Sequence, residues 1–147
     1  MTNFKKSKGF TLPELLTVLV LLGLLSAAMW QFLGGSEDKA NVTVLDSQFK
    51  SWRSAADTYY SYNNMSYAGM DNTTLVNDLG LVESAAETNY AGGSNTIEAS
   101  AGNIKQYTWT AAGLDSATGN QAALRYNGEN NLSATYSGGD LAITVTK

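Results

Sequence analysis

The chain has no cysteine and no histidine, and only one proline, in 147 residues. The first two absences remove thiolate and imidazole ligation of zinc and iron–sulfur clusters, thiol nucleophiles and every His-based general base. Catalysis would fall to carboxylates, Lys, Ser/Thr and Tyr. No nucleophile with a recognisable base and no phosphate-cradling glycine loop is present, so the chain reads as a non-enzyme with no cofactor. Without cysteine there is no disulfide, and cysteine usage says nothing about redox compartment.

Basic charge is also scarce and confined. Of nine Lys and Arg, three (Lys5, Lys6 and Lys8) lie in the first nine residues, leaving six against 13 acids and a balance of −7 instead of −4 if that leader is removed. An acidic chain without a basic stripe is a poor nucleic-acid binder, and no direct nucleic-acid partner is expected. Disorder throughout is excluded, because 44% of residues are hydrophobic and 3 Trp, 8 Tyr and 4 Phe suffice for a core.

What the chain does have is one long apolar run. From Leu15 to Leu33 only Thr17, Gly23, Ser26 and Gln31 interrupt it, and as a helix it reaches about 28 Å, close to the hydrocarbon thickness of a bilayer. Basic residues precede it and Glu37 and Asp38 follow it, so the N-terminus is expected in the cytoplasm and the bulk of the chain outside. A cleaved secretory signal fits poorly, because Met29, Trp30, Phe32 and Leu33 continue the run beyond the small Ala27-Ala28 pair. Glu14 stands at the start of this run, where a carboxylate is costly unless it has a task or stays at the headgroups beside the positive helix end.

The segment Lys8-Gly9-Phe10-Thr11-Leu12-Pro13-Glu14, with its short basic leader and following apolar helix, resembles the class III signal of type IV pilins and pseudopilins. That resemblance implies cleavage between Gly9 and Phe10 by a membrane-embedded prepilin peptidase, N-methylation of Phe10, and a Glu14 that pairs across subunits with the Phe10 ammonium. Each charge is costly alone in an apolar bundle and less so when paired, so the pair would set helix register. Gly23 matches a glycine common in such helices, whereas many relatives carry a proline where this chain has Gln31. A different break is expected at Gly34-Gly35-Ser36, a hinge with Ser36 capping a restarted helix.

Past the hinge, Val42, Leu45, Phe49, Trp52, Ala56 and Tyr59 recur at helical spacing, which predicts an amphipathic helix laid on a sheet. Asp46, Lys50, Arg53 and Asp57 fall on its opposite face, a solvated surface or a subunit contact. A short capped helix is expected within Asn72 to Gly80, and a loop from Glu83 to Asn95. Residues 67–82 also resemble the loop after the long helix in type IVb pilins, while Phe10 resembles the IVa group and pseudopilins, so the subclass stays open. Strands are expected at Ile97 to Ser100, Ile104 to Ala111, Ala122 to Asn127, Leu132 to Ser137 and Leu141 to Thr146, with hairpin connections at Gly128 to Asn131 and Ser137 to Asp140. The residues Ala122/Leu124/Tyr126, Leu132/Ala134/Tyr136 and Leu141/Ile143/Val145 would face the helix stripe.

The resulting expectation is an α+β, pilin-like fold: a long N-terminal hydrophobic helix whose C-terminal half packs on an antiparallel sheet. Residues 1–9 form the leader, 10–35 the transmembrane and filament-core helix with its hinge, and 36–147 the exported head. Two features outside the helix could bind ligands. Asp115 to Asn120 offers hard oxygen donors for calcium, but one carboxylate is thin, and a plain polar turn is the better reading. Tyr59, Tyr60, Tyr62, Tyr67 and Trp52 could stack sugars, though core or interface explains them better.

The resemblance implies a structural subunit, a major pilin, partnered by other copies in a helical filament, by prepilin peptidase and by the assembly platform and ATPase. It would sit in the inner membrane before assembly and in an extracellular pilus after it. A pseudopilin of a type II secretion system and a membrane-anchored module that binds carbohydrate or a surface are the alternatives.

Overall fold

The computed structural model describes residues 11–147, with residues 30–36 described by their backbone alone. Helix α1 (Leu12–Tyr62) is followed by a π-helical turn (Thr74–Asp78), a 3-10 turn (Ser84–Glu87), strands β1 (Asn95–Ala99) and β2 (Gln106–Ala111), helix α2 (Ser116–Tyr126), and strands β3 (Leu132–Ser137) and β4 (Asp140–Thr146). The chain divides into two units, with the boundary between Glu37 and Asp38. Gly34-Gly35-Ser36 lies within α1 and does not break its helical assignment, so the expected Ser36 restart is not seen. Two adjacent glycines cost about 1 kcal/mol each in a helix, too little by themselves to end one of this length.

The described part of the first unit is the apolar N-terminal stretch of α1. Every described residue from Leu12 to Met29 is exposed, Leu and Val included. The second unit is built around a four-stranded antiparallel sheet in the order β1-β2-β4-β3. Its inner face carries Ile97, Tyr107, Trp109, Ala111, Ala134, Leu141, Ile143 and Val145, all buried, against Val42, Leu45, Phe49, Trp52 and Ala56 of α1. The Phe49 ring lies 5.4 Å from Trp109 and 5.1 Å from Tyr126, and Trp52 Nε1 donates to Ala86 O at 3.3 Å. The helix stripe and the alternation in β4 thus meet as the sequence predicts. Gly138 and Gly139, with φ of 65° and 97°, form the two-residue turn between β3 and β4, where positive φ at both positions suits the twist of a hairpin.

One expected strand is a helix. Ala122 to Asn127 falls in α2 and its C-cap, because Asp115 caps the N-terminus and the buried set is Thr118, Gly119, Ala122, Ala123 and Tyr126, a period of three to four and not two. Leu124, expected to face the core, is 77% exposed. Gly128 to Asn131 accordingly links α2 to β3 and is not a hairpin turn. Leu132 and Tyr136 are half-buried, with Ala134 the buried member of that strand. Gly119 is required by packing: a Cβ there would meet the Tyr136 ring at 2.2 Å.

Each outer strand has part of its free edge covered. On β1, Asn72 Oδ1 accepts from Ile97 N at 2.6 Å, its Nδ2 donates to Asn95 O at 3.0 Å, and Ala99 N donates to Met70 O at 3.0 Å. On β3, Asn127 Oδ1 accepts from Ala134 N and its Nδ2 donates to Ala134 O, both at 2.7 Å. Each carboxamide supplies the donor and acceptor that a neighbouring strand would offer.

Candidate functional site

The site the sequence singles out lies at the start of α1. Thr11 precedes the helix and Glu14 stands three residues on, the spacing of a capping box. Glu14 Oε2 accepts from Thr11 N and from Thr11 Oγ1, both at 2.8 Å. The carboxylate is thereby folded back over the helix N-terminus, where the dipole favours negative charge. Among the described residues, Oε1 has no partner. Pro13 lies in the first turn, where no intrahelical acceptor awaits its missing N–H. Gly9 and Phe10, the expected cleavage and methylation residues, lie outside the described residues.

From Leu12 to Met29 the helix has a mean hydropathy of 2.1 over 18 residues, none buried. At 1.5 Å per residue this window is about 27 Å long, enough to cross the hydrocarbon of a bilayer. Glu14 is the one charged side chain within it. Thr17 and Ser26 donate their hydroxyls to Pro13 O and Leu22 O at 2.8 Å, so neither presents an unpaired donor to lipid or to another helix.

A capped glutamate at the start of an exposed apolar helix long enough to cross a bilayer suits a membrane-anchored N-terminus. Residues 4–30 match the prokaryotic N-terminal methylation motif. The chain carries the class III signal peptide of type IV pilins and pseudopilins, which marks it as a pilin-like substrate of prepilin processing and suits membrane anchoring before assembly. The match covers the anchor and not the head. No curated protein and no solved structure matches the chain.

In the second unit the structure redistributes the other candidates. Asp115 is the N-cap of α2: Oδ1 accepts from Thr118 N at 2.9 Å and Oδ2 from Tyr90 OH at 3.2 Å. The backbone bond from Thr118 holds its carboxyl below the usual carboxylate range. Among the described residues there is no group of three or more acidic side chains that could hold a metal ion. Trp52, Tyr60 and Tyr67 are buried, Tyr67 packs tilted against Tyr60 at 4.7 Å and edge-on to Tyr107 at 4.8 Å, and Tyr59 OH donates to Ala68 O, which leaves Tyr62 as the exposed ring of the five. Core packing accounts for Trp52, Tyr60 and Tyr67, with Tyr59 half-buried against them.

Asp46 is the residue the sequence misplaces. Expected on the solvated face of α1, it is buried under α2, its side chain 10% exposed. It accepts from Tyr126 OH at 3.1 Å and lies 2.8 Å from Lys50 Nζ and 3.2 Å from Arg125. Burial raises its pKa, but hydrogen bonds from Lys50 and Tyr126 and the Arg125 charge outweigh it and leave the carboxyl below the ordinary aspartate value. Burial first, then the Asp46 charge, pushes the Tyr126 phenol up. The cluster is a structural clamp of α2 on α1.

Proposed function

We propose that the chain is the structural subunit, a major pilin, of a bacterial type IV pilus. Residues 1–9 are the leader removed by prepilin peptidase between Gly9 and Phe10, residues 10–35 the filament core, and 36–147 the exported head. Phe10, freed and N-methylated, supplies a cation, and Glu14 of a neighbouring subunit supplies the matching carboxylate. The observation that carries the reading is the apolar helix surface from Leu12 to Met29, exposed throughout and bearing one carboxylate at its start. Such a surface is stable only in lipid or against other helices, and moving between the two is what assembly requires. The Thr11 bonds pre-orient the carboxylate and occupy Oε2, which leaves Oε1 for the ammonium of another subunit. The other partners are the assembly platform and its ATPase, with the inner membrane as host before extraction.

The test is Glu14→Ala at equal pilin levels. Membrane insertion and leader cleavage continue, but pure mutant filaments fall sharply, because a buried unpaired ammonium costs about 3–5 kcal/mol per interface. Co-expressed wild-type chains rescue the mutant into mixed filaments. Intact mass of the filament subunit begins at methylated Phe10, and Gly9→Glu abolishes that cleavage. Filaments of normal yield and length from Glu14→Ala alone would reduce Glu14 to a helix-start residue. A type II secretion pseudopilin shares the anchor and is distinguished by a secretion defect without surface fibres on deletion.

A further inference from the structure

Asn127 carries two roles at once. It is the C-cap of α2, with φ −66° and ψ −12°, and its carboxamide occupies both main-chain groups of Ala134, closing the outer edge of β3 at its centre. It is also followed by Gly128, making the single Asn-Gly step in the chain. With no Cβ on the following residue, the backbone nitrogen at such a step has the least hindered approach to the asparagine side chain. Asn127 and Gly128 are both exposed to water.

We propose that Asn127-Gly128 is a self-modification site whose product unseals the edge of β3. The Gly128 nitrogen attacks Cγ of Asn127, a C–N bond forms, the bond from Cγ to Nδ2 breaks, and the departing nitrogen leaves as ammonia with the proton from Gly128. Water then opens the cyclic imide at either carbonyl and yields aspartate or isoaspartate. No other reactant is needed. Aspartate replaces the Nδ2 donor by a carboxylate oxygen facing Ala134 O, whereas in isoaspartate Cγ joins the main chain, lengthening it by one carbon, and the free carboxylate is the former main-chain carbonyl; the carboxamide pair on Ala134 is lost in both.

The folded chain restrains this step. To reach Cγ, the Gly128 nitrogen must leave Arg125 O, to which it donates at 3.3 Å, and the side chain must leave Ala134. Modification therefore proceeds through openings of the seal, and it is faster in denaturant than in the native chain.

The test uses the full chain in detergent, aged at mildly alkaline pH and read by peptide mass spectrometry with hydrogen exchange. Gly128→Ala is the matched control, because a Cβ there meets only Arg125 O at an ordinary 3.5 Å. Deamidation in the wild type concentrates at Asn127, is strongly suppressed in Gly128→Ala, and in the modified fraction the peptide spanning β3 exchanges several-fold faster than in unaged chain. Asn127→Ala shows the fast exchange from the outset. The proposal is overturned if Asn127 is modified no faster than Asn63 or Asn130, or if β3 exchange in the modified chain equals that of the unaged one.

Discussion

Replacing Asp46 by alanine measures how firmly α2 is clamped to α1. Two of the three partners are easily released: the Lys50 side chain is 69% exposed and that of Arg125 is 46% exposed, so water takes over their hydrogen bonds. Exposed pairs of this kind are worth about 0–1 kcal/mol each. The third partner decides the result. Tyr126 is buried, and its hydroxyl would be left without an acceptor, a loss of about 1–3 kcal/mol. The expected destabilisation is about 2–3 kcal/mol, read by urea unfolding of a soluble head beginning at Ser36 with the Trp52 and Trp109 fluorescence as probe. Lys50→Ala should cost less than about 0.5 kcal/mol. Tyr126→Phe should cost about 1 kcal/mol alone but recover part of the loss on the Asp46→Ala background, since it removes the unpaired hydroxyl. The pH dependence follows from the lowered carboxyl: the unfolded chain binds the proton more readily than the folded one. The contribution is complete above the unfolded value of about 3.9 and is lost as pH falls through the lower folded value. The gap between wild type and Asp46→Asn therefore narrows only in strong acid. An Asp46→Ala head within about 0.5 kcal/mol of wild type at neutral pH would refute the clamp.

Two further outcomes follow from the packing around α2. Gly119→Ala drives a methyl into the Tyr136 ring and should destabilise the head by about 1–3 kcal/mol, measured by the same unfolding curve. Asp115→Ala removes the N-cap and should lower stability by about 1 kcal/mol, with the melting temperature of either protein unchanged between millimolar calcium and chelator; a calcium-dependent rise that Asp115→Ala abolishes would restore the metal reading.

The sequence spoke clearly where one strong periodicity ran over several turns or strands. Val42 to Ala56 announced a buried stripe, and Leu141, Ile143 and Val145 announced β4; all eight of these residues, Phe49 and Trp52 among them, are buried. It misled where the run was short. Ala122, Leu124 and Tyr126 alternate by chance inside an 11-residue helix, and Gly119 weakened the helical reading although it is there to admit the Tyr136 ring. The Asp115 cap is the available signal, but Asp115 to Asn120 reads equally as a plain polar turn. Asp46 followed from that error, because nothing local distinguishes a solvated aspartate from one covered by a helix placed 70 residues later. The anchor was legible for another reason: Gly9, Phe10, Glu14 and the apolar run form a pattern of chemistry, not of packing.

The two asparagines at the sheet margins bear on how crowded heads behave. Asn72 and Asn127 stand where a neighbour's strand would otherwise dock, so heads pressed side by side can touch without zipping their backbones together. Contact between them stays a matter of side chains, which separate readily. In the filament we propose, the strongest bonds would then lie in the helices at the axis, and subunits could come apart one by one as those helices are drawn back into lipid.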